Sequence, residues 1–174
     1  EPDGLVKKIE VLTCKAMQGE ISFQKVLQQR FELLQPKKRQ VEKLVKTLQG
    51  QVTQSVLRHK EWFYKMARRI WVVSGGFEEF IGPVVENLGL SKTQVRANRF
   101  VYDHKGEIVG FDRDNPLVKN EGKAQVVKDL KLKGKVVMVG DGMSDWLVKT
   151  LGEADEFWLM TENVRRESLA EGAD

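Results

Sequence analysis

Val137-Met138-Val139-Gly140-Asp141-Gly142-Met143-Ser144-Asp145 is the stretch on which the reading of this chain turns. Residues 135–139 form an apolar run of buried-strand type, closed by Gly140-Asp141-Gly142 and followed by a helical pattern. Such a strand delivers Asp141 to its carboxyl end, with Asp145 one helical turn further on. In parallel α/β sheets that is the edge where ligands bind. Two carboxylates at that point, the first between glycines, suit a hard, oxygen-liking cation such as Mg²⁺. The plainer alternatives are a turn role for Asp141 and, for Asp145, a first-turn acid favoured by the helix dipole.

Working upstream, Gly122-Lys123 opens a helix expected over 121–131. A lysine in a first turn opposes the macrodipole and so answers a nearby anion, unless it is an ordinary surface lysine. Ile70–Val73 is a short apolar run ending in Ser74-Gly75-Gly76. A hydroxyl and glycine amides between a strand and a helix suit a phosphate; a tight turn with Ser74 as N-cap is the alternative. Phe77, Phe80, Ile81, Val84, Val85 and Leu88 mark the next helical face, where Pro83 predicts a kink or restart. Val101-Tyr102 and Ile108-Val109 flank Asp103-His104-Lys105-Gly106, a hairpin signal. A strand near 157–160 and a last helix from about Asn163 complete the pattern. Strands alternating with helices indicate an α/β fold with a parallel sheet.

Residues 1–70 read as helices. Phe23, Val26, Leu27, Phe31 and Leu34 share one helical face behind Ser22, a plausible N-cap; Val41, Leu44, Val45 and Leu48 share another beyond Pro36. A further helix is expected over about 54–67. Arg30 falls within the first apolar face. A guanidinium there either grips an anion bidentately or snorkels to the edge of the face. His59 is expected to be packed, and Trp62, Trp71, Trp146 and Trp158 to be core or near-core aromatics.

Composition narrows the classes. The 174 residues are 41% hydrophobic and 31% charged, enough for one ordinary domain with a small appendage. A single cysteine, Cys14, excludes intrachain disulfides and Cys-based zinc clusters, and two histidines leave no multi-His metal site. No apolar run approaches the roughly 20 residues of a membrane span, and no apolar signal segment opens the chain. The expectation is a soluble cytoplasmic protein without a membrane partner. Residues 1–70 carry 15 Lys+Arg against 7 Asp+Glu, and residues 71–174 carry 14 against 18. The basic charges are scattered, with Lys37-Lys38-Arg39 the longest contiguous run, so a solvated helix surface is expected rather than a nucleic-acid patch.

Taken together, Ser74-Gly75-Gly76, Gly122-Lys123 and Gly140-Asp141-Gly142-Met143-Ser144-Asp145 resemble motifs II, III and IV of the haloacid dehalogenase superfamily, in the order and spacing of its phosphoserine phosphatase branch. Ala16-Met17-Gln18-Gly19, Phe23 and Arg30 are similar to that branch's helical cap, and Ala97-Asn98-Arg99-Phe100 with Gly110-Phe111-Asp112 to its core hairpin. The resemblance covers nearly the whole chain. It implies a Rossmann-like parallel core over 51–174 with a small helical cap over 1–50, and Mg²⁺-dependent hydrolysis of O-phospho-L-serine, the last step of serine biosynthesis. By resemblance, Ser74 and Gly75 bind phosphoryl oxygens, Lys123 neutralises the phosphate, Asp141 ligates Mg²⁺ and Asp145 orients metal and lysine. Met17, Phe23 and Arg30 belong to the substrate pocket, with Arg30 on the substrate carboxylate. The implied partner is a small phosphate ester, with a homodimer allowed. Gln18 departs from the glycine found in some members.

Motif I, Asp-x-Asp-x-Thr on a first strand, has no counterpart in the sequence; Glu1-Pro2-Asp3-Gly4 follows no apolar strand. That motif holds the aspartate nucleophile, which forms an aspartyl-phosphate that water then hydrolyses. Its strand lies mid-sheet, so its loss would leave neighbouring backbone groups unpaired, at about 1–3 kcal/mol each where buried. The expectation is therefore a piece of a longer chain lacking its first strand and its C-terminal end, catalytically silent by itself. Two alternatives remain: a non-catalytic phosphate-binding module, and a phosphotransferase to another hydroxyl.

Overall fold

The computed structural model describes residues 2–17, 20–164 and 166–174, the side chains of Pro2, Asp3, Ala16 and Met17 excepted. Three helices come first: α1 (Pro2–Met17), α2 (Phe23–Leu34) and α3 (Lys38–Gln49). Ser22 caps α2 as its sequence position suggests, its hydroxyl accepting from the Lys25 N–H at 3.3 Å. Val26 and Leu27 are the buried residues of α2 and Val41 that of α3.

The helix expected over 54–67 is instead two, α4 (Gln54–Arg58) and α5 (Lys60–Met66), followed by a 3-10 turn, Ala67–Arg69. The break lies at His59, whose N–H is shared between the carbonyls of Ser55 and Val56 and whose ring Nδ1 lies 2.7 Å from the Ser55 carbonyl oxygen. His59 is exposed, not packed. Apolar periodicity survives the break, because Val56 and Phe63 both pack on the cluster of Val85, Leu88, Leu90, Val95 and Ala97.

Two parallel strand pairs form the α/β part. β1 (Val72–Phe77) pairs with β2 (Val95–Asn98), and β5 (Val137–Gly140) pairs with β6 (Glu156–Leu159). Between them in sequence come α6 (Glu78–Glu86), the antiparallel hairpin of β3 (Phe100–Tyr102) and β4 (Ile108–Phe111), α7 (Gly122–Leu130) and α8 (Met143–Thr150). A short α9 (Glu167–Ala170) starts later than the helix expected from Asn163. Among the described residues the two parallel pairs are not hydrogen-bonded to each other, so β1 and β5 each keep an edge without a strand partner. Side chains bridge them: Val73 of β1 and Met138 of β5 pack on the cluster of Ala124, Val127, Val148 and Ala154 from α7, α8 and the loop before β6.

Two local differences from the sequence reading have physical causes. The first strand runs through Ser74-Gly75-Gly76 instead of ending before them, with its register to β2 shifted between Val73 and Phe77. Glycines without side chains tolerate that irregularity. Pro83 sits inside α6, which continues through it. Trp62 and Trp158 are about half exposed rather than core, because the opposite faces of their elements do the packing.

Candidate active site

α7 and the β5–α8 turn bring the two halves of a charged centre together. Lys123 lies in the first turn of α7, and its Nζ donates to Asp145 Oδ1 at 2.5 Å. The anion that the lysine answers is therefore Asp145. Their side chains are 17% and 7% exposed, so the pair sits nearly out of water. Asp145 also accepts from the Gly142 N–H through Oδ2 at 3.1 Å, capping α8. Both roles raised for Asp145, helix-terminus acid and partner of the lysine, are filled by one carboxylate. Glycine at 140 makes this possible: a Cβ there would lie 2.3 Å from Asp145 Cγ.

Asp141 lies just past the end of β5 and points differently. Its side chain is 53% exposed, Oδ2 stands 3.8 Å from the Arg166 guanidinium, and its backbone carbonyl accepts from Arg166 Nε at 2.9 Å. Its oxygens thus face water with one loose cationic neighbour, whereas those of Asp145 are committed. Among the described residues no three His, Cys, Asp or Glu side chains converge. A single available carboxylate fits a Mg²⁺ that keeps several waters and takes its remaining oxygens from a bound phosphate; it does not fit a self-sufficient protein cage.

Ser74 is not an N-cap, since α6 starts after Phe77. Its Oγ accepts from the Gly76 N–H at 3.1 Å, which leaves the hydroxyl proton free to donate to an anion. Val73 and Ala124, the chain neighbours of Ser74 and Lys123, lie in one apolar cluster, which draws the glycine strand and the α7 terminus toward each other.

Phe23 reaches this region from α2. A Cβ on Gly75 would lie 2.9 Å from Phe23 Cζ, so the ring rests against bare backbone. The Phe23 N–H donates to Asn120 Oδ1 at 3.1 Å, tying the start of α2 to the residues before α7. Arg30 lies two turns along α2, half-buried. Its Nη2 donates to Thr13 Oγ1 of α1, while its buried Nε has no partner among the described residues. The guanidinium neither snorkels into open solvent nor meets a carboxylate there. Beside it, Phe31 packs edge-on against Phe111 at 5.6 Å and tilted against Phe100 at 6.4 Å, docking α2 on the β3–β4 hairpin. The Met17 side chain and Gln18 lie outside the described residues.

Sequence reasoning passed over Asn98 and Asn120 as site-supporting groups. Asn98 carries only a weak signal, a strand-disfavoured amide between Ala97 and Arg99. Asn120 carries none, because a polar residue before a helix is commonplace.

Comparison with known proteins bears on the family and the fold. The family model described as haloacid dehalogenase-like hydrolase matches residues 9–147. The phosphoserine phosphatase of Bos taurus is 32% identical over 174 residues, covering 98% of this chain and 76% of that protein. That of Homo sapiens is 30% identical over 173 residues, with the same shares of both chains. Among solved structures, a phosphoserine phosphohydrolase-like protein from Francisella tularensis superposes with a TM-score of 0.82 at 25% identity, covering 99% of this chain and 80% of that one.

Proposed function

This chain belongs to the haloacid dehalogenase-like hydrolase family, and from that premise we propose that it hydrolyses O-phospho-L-serine to L-serine and phosphate, as the last step of serine biosynthesis. The observation that carries the reading is the nearly dry Lys123–Asp145 pair at the carboxyl end of β5. It holds an ammonium in place, by a single carboxylate oxygen, where a phosphoryl group can share it. Its relatives' names supply the substrate.

In this reading the Ser74 hydroxyl and the Gly75 amide hold phosphoryl oxygens, and Lys123 Nζ donates to the same group. Asp145 keeps the ammonium in position; Lys123 loses no orientation as charge develops, and preorganised donors of this kind stabilise a transferring group strongly. Asp141 would hold Mg²⁺, which when bound supplies Lewis-acid polarisation of a phosphoryl oxygen. Phe23 covers Gly75 and excludes water from that side. Arg30, with one buried N–H unsatisfied, takes the carboxylate of the substrate. None of these groups accepts the phosphoryl group. We place the acceptor on a strand that pairs with the unpaired edges of β1 and β5.

No helix among the described residues is long and apolar enough to cross a membrane. The localisation we propose is the cytoplasm, a reading that a sequence with a single cysteine fits.

The test of the substrate is Arg30→Ala in the protein as its gene encodes it. Losing one partner of a desolvated charge pair costs on the order of 2–5 kcal/mol, at least about thirtyfold in kcat/KM. That loss is expected with phosphoserine and not with a phosphate ester lacking a carboxylate. Equal losses on both would make Arg30 structural and remove the case for an amino-acid substrate.

A further inference from the structure

Asn98 ends β2 opposite Phe77, fully buried. Its Nδ2 donates to the Gly75 carbonyl at 2.9 Å and, at a longer 3.5 Å, to that of Leu117. Its Oδ1 is buried without a partner among the described residues. Both partners of Nδ2 are carbonyl oxygens, which only accept. The amide therefore cannot turn over, because Oδ1 would then face two acceptors. An orphaned buried oxygen is uncommon in folded proteins. Here it persists because the two donations fix the group.

What those donations hold is informative. The Gly75 carbonyl and the Gly76 N–H belong to one planar peptide unit. Asn98 grips the oxygen end of that plane, and the nitrogen end donates to Ser74 Oγ at 3.1 Å. A side chain that fixes the plane thus fixes the Ser74 hydroxyl. The other carbonyl belongs to the 3-10 turn Pro116–Val118, three residues before α7, which carries Lys123. One neighbouring amide reinforces this tie at both ends: Asn115 Nδ2 donates to the Ala97 carbonyl at 2.8 Å, and Asn115 Oδ1 accepts from the Leu117 N–H at 3.0 Å.

We propose that Asn98 is a positioning residue that locks the Gly75–Gly76 peptide plane, and through it orients the Ser74 hydroxyl toward a bound phosphoryl group. This rests on the phosphate role given to Ser74. Asn98 touches no substrate; it acts through the peptide.

The experiment is calorimetric titration with inorganic phosphate of the protein as encoded, alongside Ser74→Ala, Asn98→Asp and Asn98→Leu. Aspartate keeps the shape and loses the donor; leucine keeps the volume and loses both polar atoms. Each Asn98 variant is expected to weaken phosphate binding by about fivefold to tenfold, the worth of one well-placed hydrogen bond. The Arg30-dependent preference for a carboxylate-bearing ester should stay unchanged, because Asn98 acts only on the phosphate end. A merely structural role lowers the fraction of folded protein and leaves the affinity of that fraction unchanged. Ser74→Ala weakening phosphate with both Asn98 variants binding normally overturns the Asn98 proposal alone. Wild-type protein that binds no phosphate overturns it together with the reading of the site. Should neither variant fold, the wild type decides: phosphate is expected to shift the Gly76 amide and Asn98 side-chain amide resonances together. A Gly76 shift with a stationary Asn98 amide refutes the coupling.

Discussion

Lys123→Met separates what the charged centre does for folding from what it does for chemistry. The substitution keeps the length of the side chain and removes the ammonium, leaving the Asp145 side chain, 7% exposed, with the Gly142 N–H as its one remaining donor among the described residues. Breaking a buried pair by removing one partner costs about 3–5 kcal/mol. The retained Gly142 bond puts this case near the lower end, about 3 kcal/mol, a substantial part of the roughly 5–15 kcal/mol that keeps a domain folded. At about 2–4 °C per kcal/mol for a chain of this size, the midpoint should fall by roughly 6–12 °C. Asp145→Asn in the same background removes the stranded charge and keeps an acceptor for Gly142. The double variant should regain at least about 1.5 kcal/mol relative to additivity, as coupled neighbours do. Urea unfolding of the wild type, both single variants and the double gives the coupling energy, and phosphate release from phosphoserine gives the activity. Stability is expected to return in the double variant while turnover does not. A single-variant cost below about 1 kcal/mol, typical of surface pairs, or additive losses, would refute a nearly dry pair.

Two further substitutions probe how the centre is built and reached. Gly140→Ala places a methyl 2.3 Å from Asp145 Cγ. Turnover should fall as far as in Asp145→Ala, whereas Gly110→Ala, which meets nothing within 4 Å, should show wild-type kinetics. Phe31→Ala removes the ring that docks α2 on Phe100 and Phe111. Because the ring is only partly buried, a loss of about 2 kcal/mol is expected in urea unfolding, below the 3–5 kcal/mol of fully buried phenylalanines, with a raised KM for phosphoserine as α2 loosens.

The parts of the fold legible in the sequence are those that carry their own signals. Ser22 before an apolar face marks the start of α2, and Val137–Val139 before Gly140-Asp141-Gly142 marks β5 and the turn after it. The hairpin was legible because Asp103 and Gly106 supply its turn: Asp103 Oδ1 accepts from the Lys105 and Glu107 N–H groups, and Gly106 takes φ +77°. β2 was hidden, since Val95-Arg96-Ala97-Asn98 has little apolar content and its arginine stacks on Trp71 at 4.8 Å. Tryptophan exposure was misjudged because residue type speaks for burial while neighbours decide it. Trp158 pairs in register with Val139 on β5, and both are more than half exposed. In the site, Lys123 against Asp145 was foreseeable from a cation in a first helical turn. That Phe23 would lie on Gly75, and that Arg30 would meet Thr13, depends on how α2 leans on the glycine strand and α1 on α2, which no local pattern encodes.

The most direct measurement is magnesium-dependent release of phosphate from O-phospho-L-serine, made on the protein as its gene encodes it, on Asp141→Asn, and on the 174 residues alone. The site assigned here predicts release by the encoded protein that chelation of magnesium abolishes and Asp141→Asn lowers by at least about tenfold, as expected when a ligand that holds the metal is lost. It predicts no release by the 174 residues alone, because Ser74, Lys123, Asp141 and Asp145 bind the phosphoryl group and metal without accepting the phosphoryl group. Undiminished release under chelation, full activity of Asp141→Asn, or turnover by the 174 residues would contradict it.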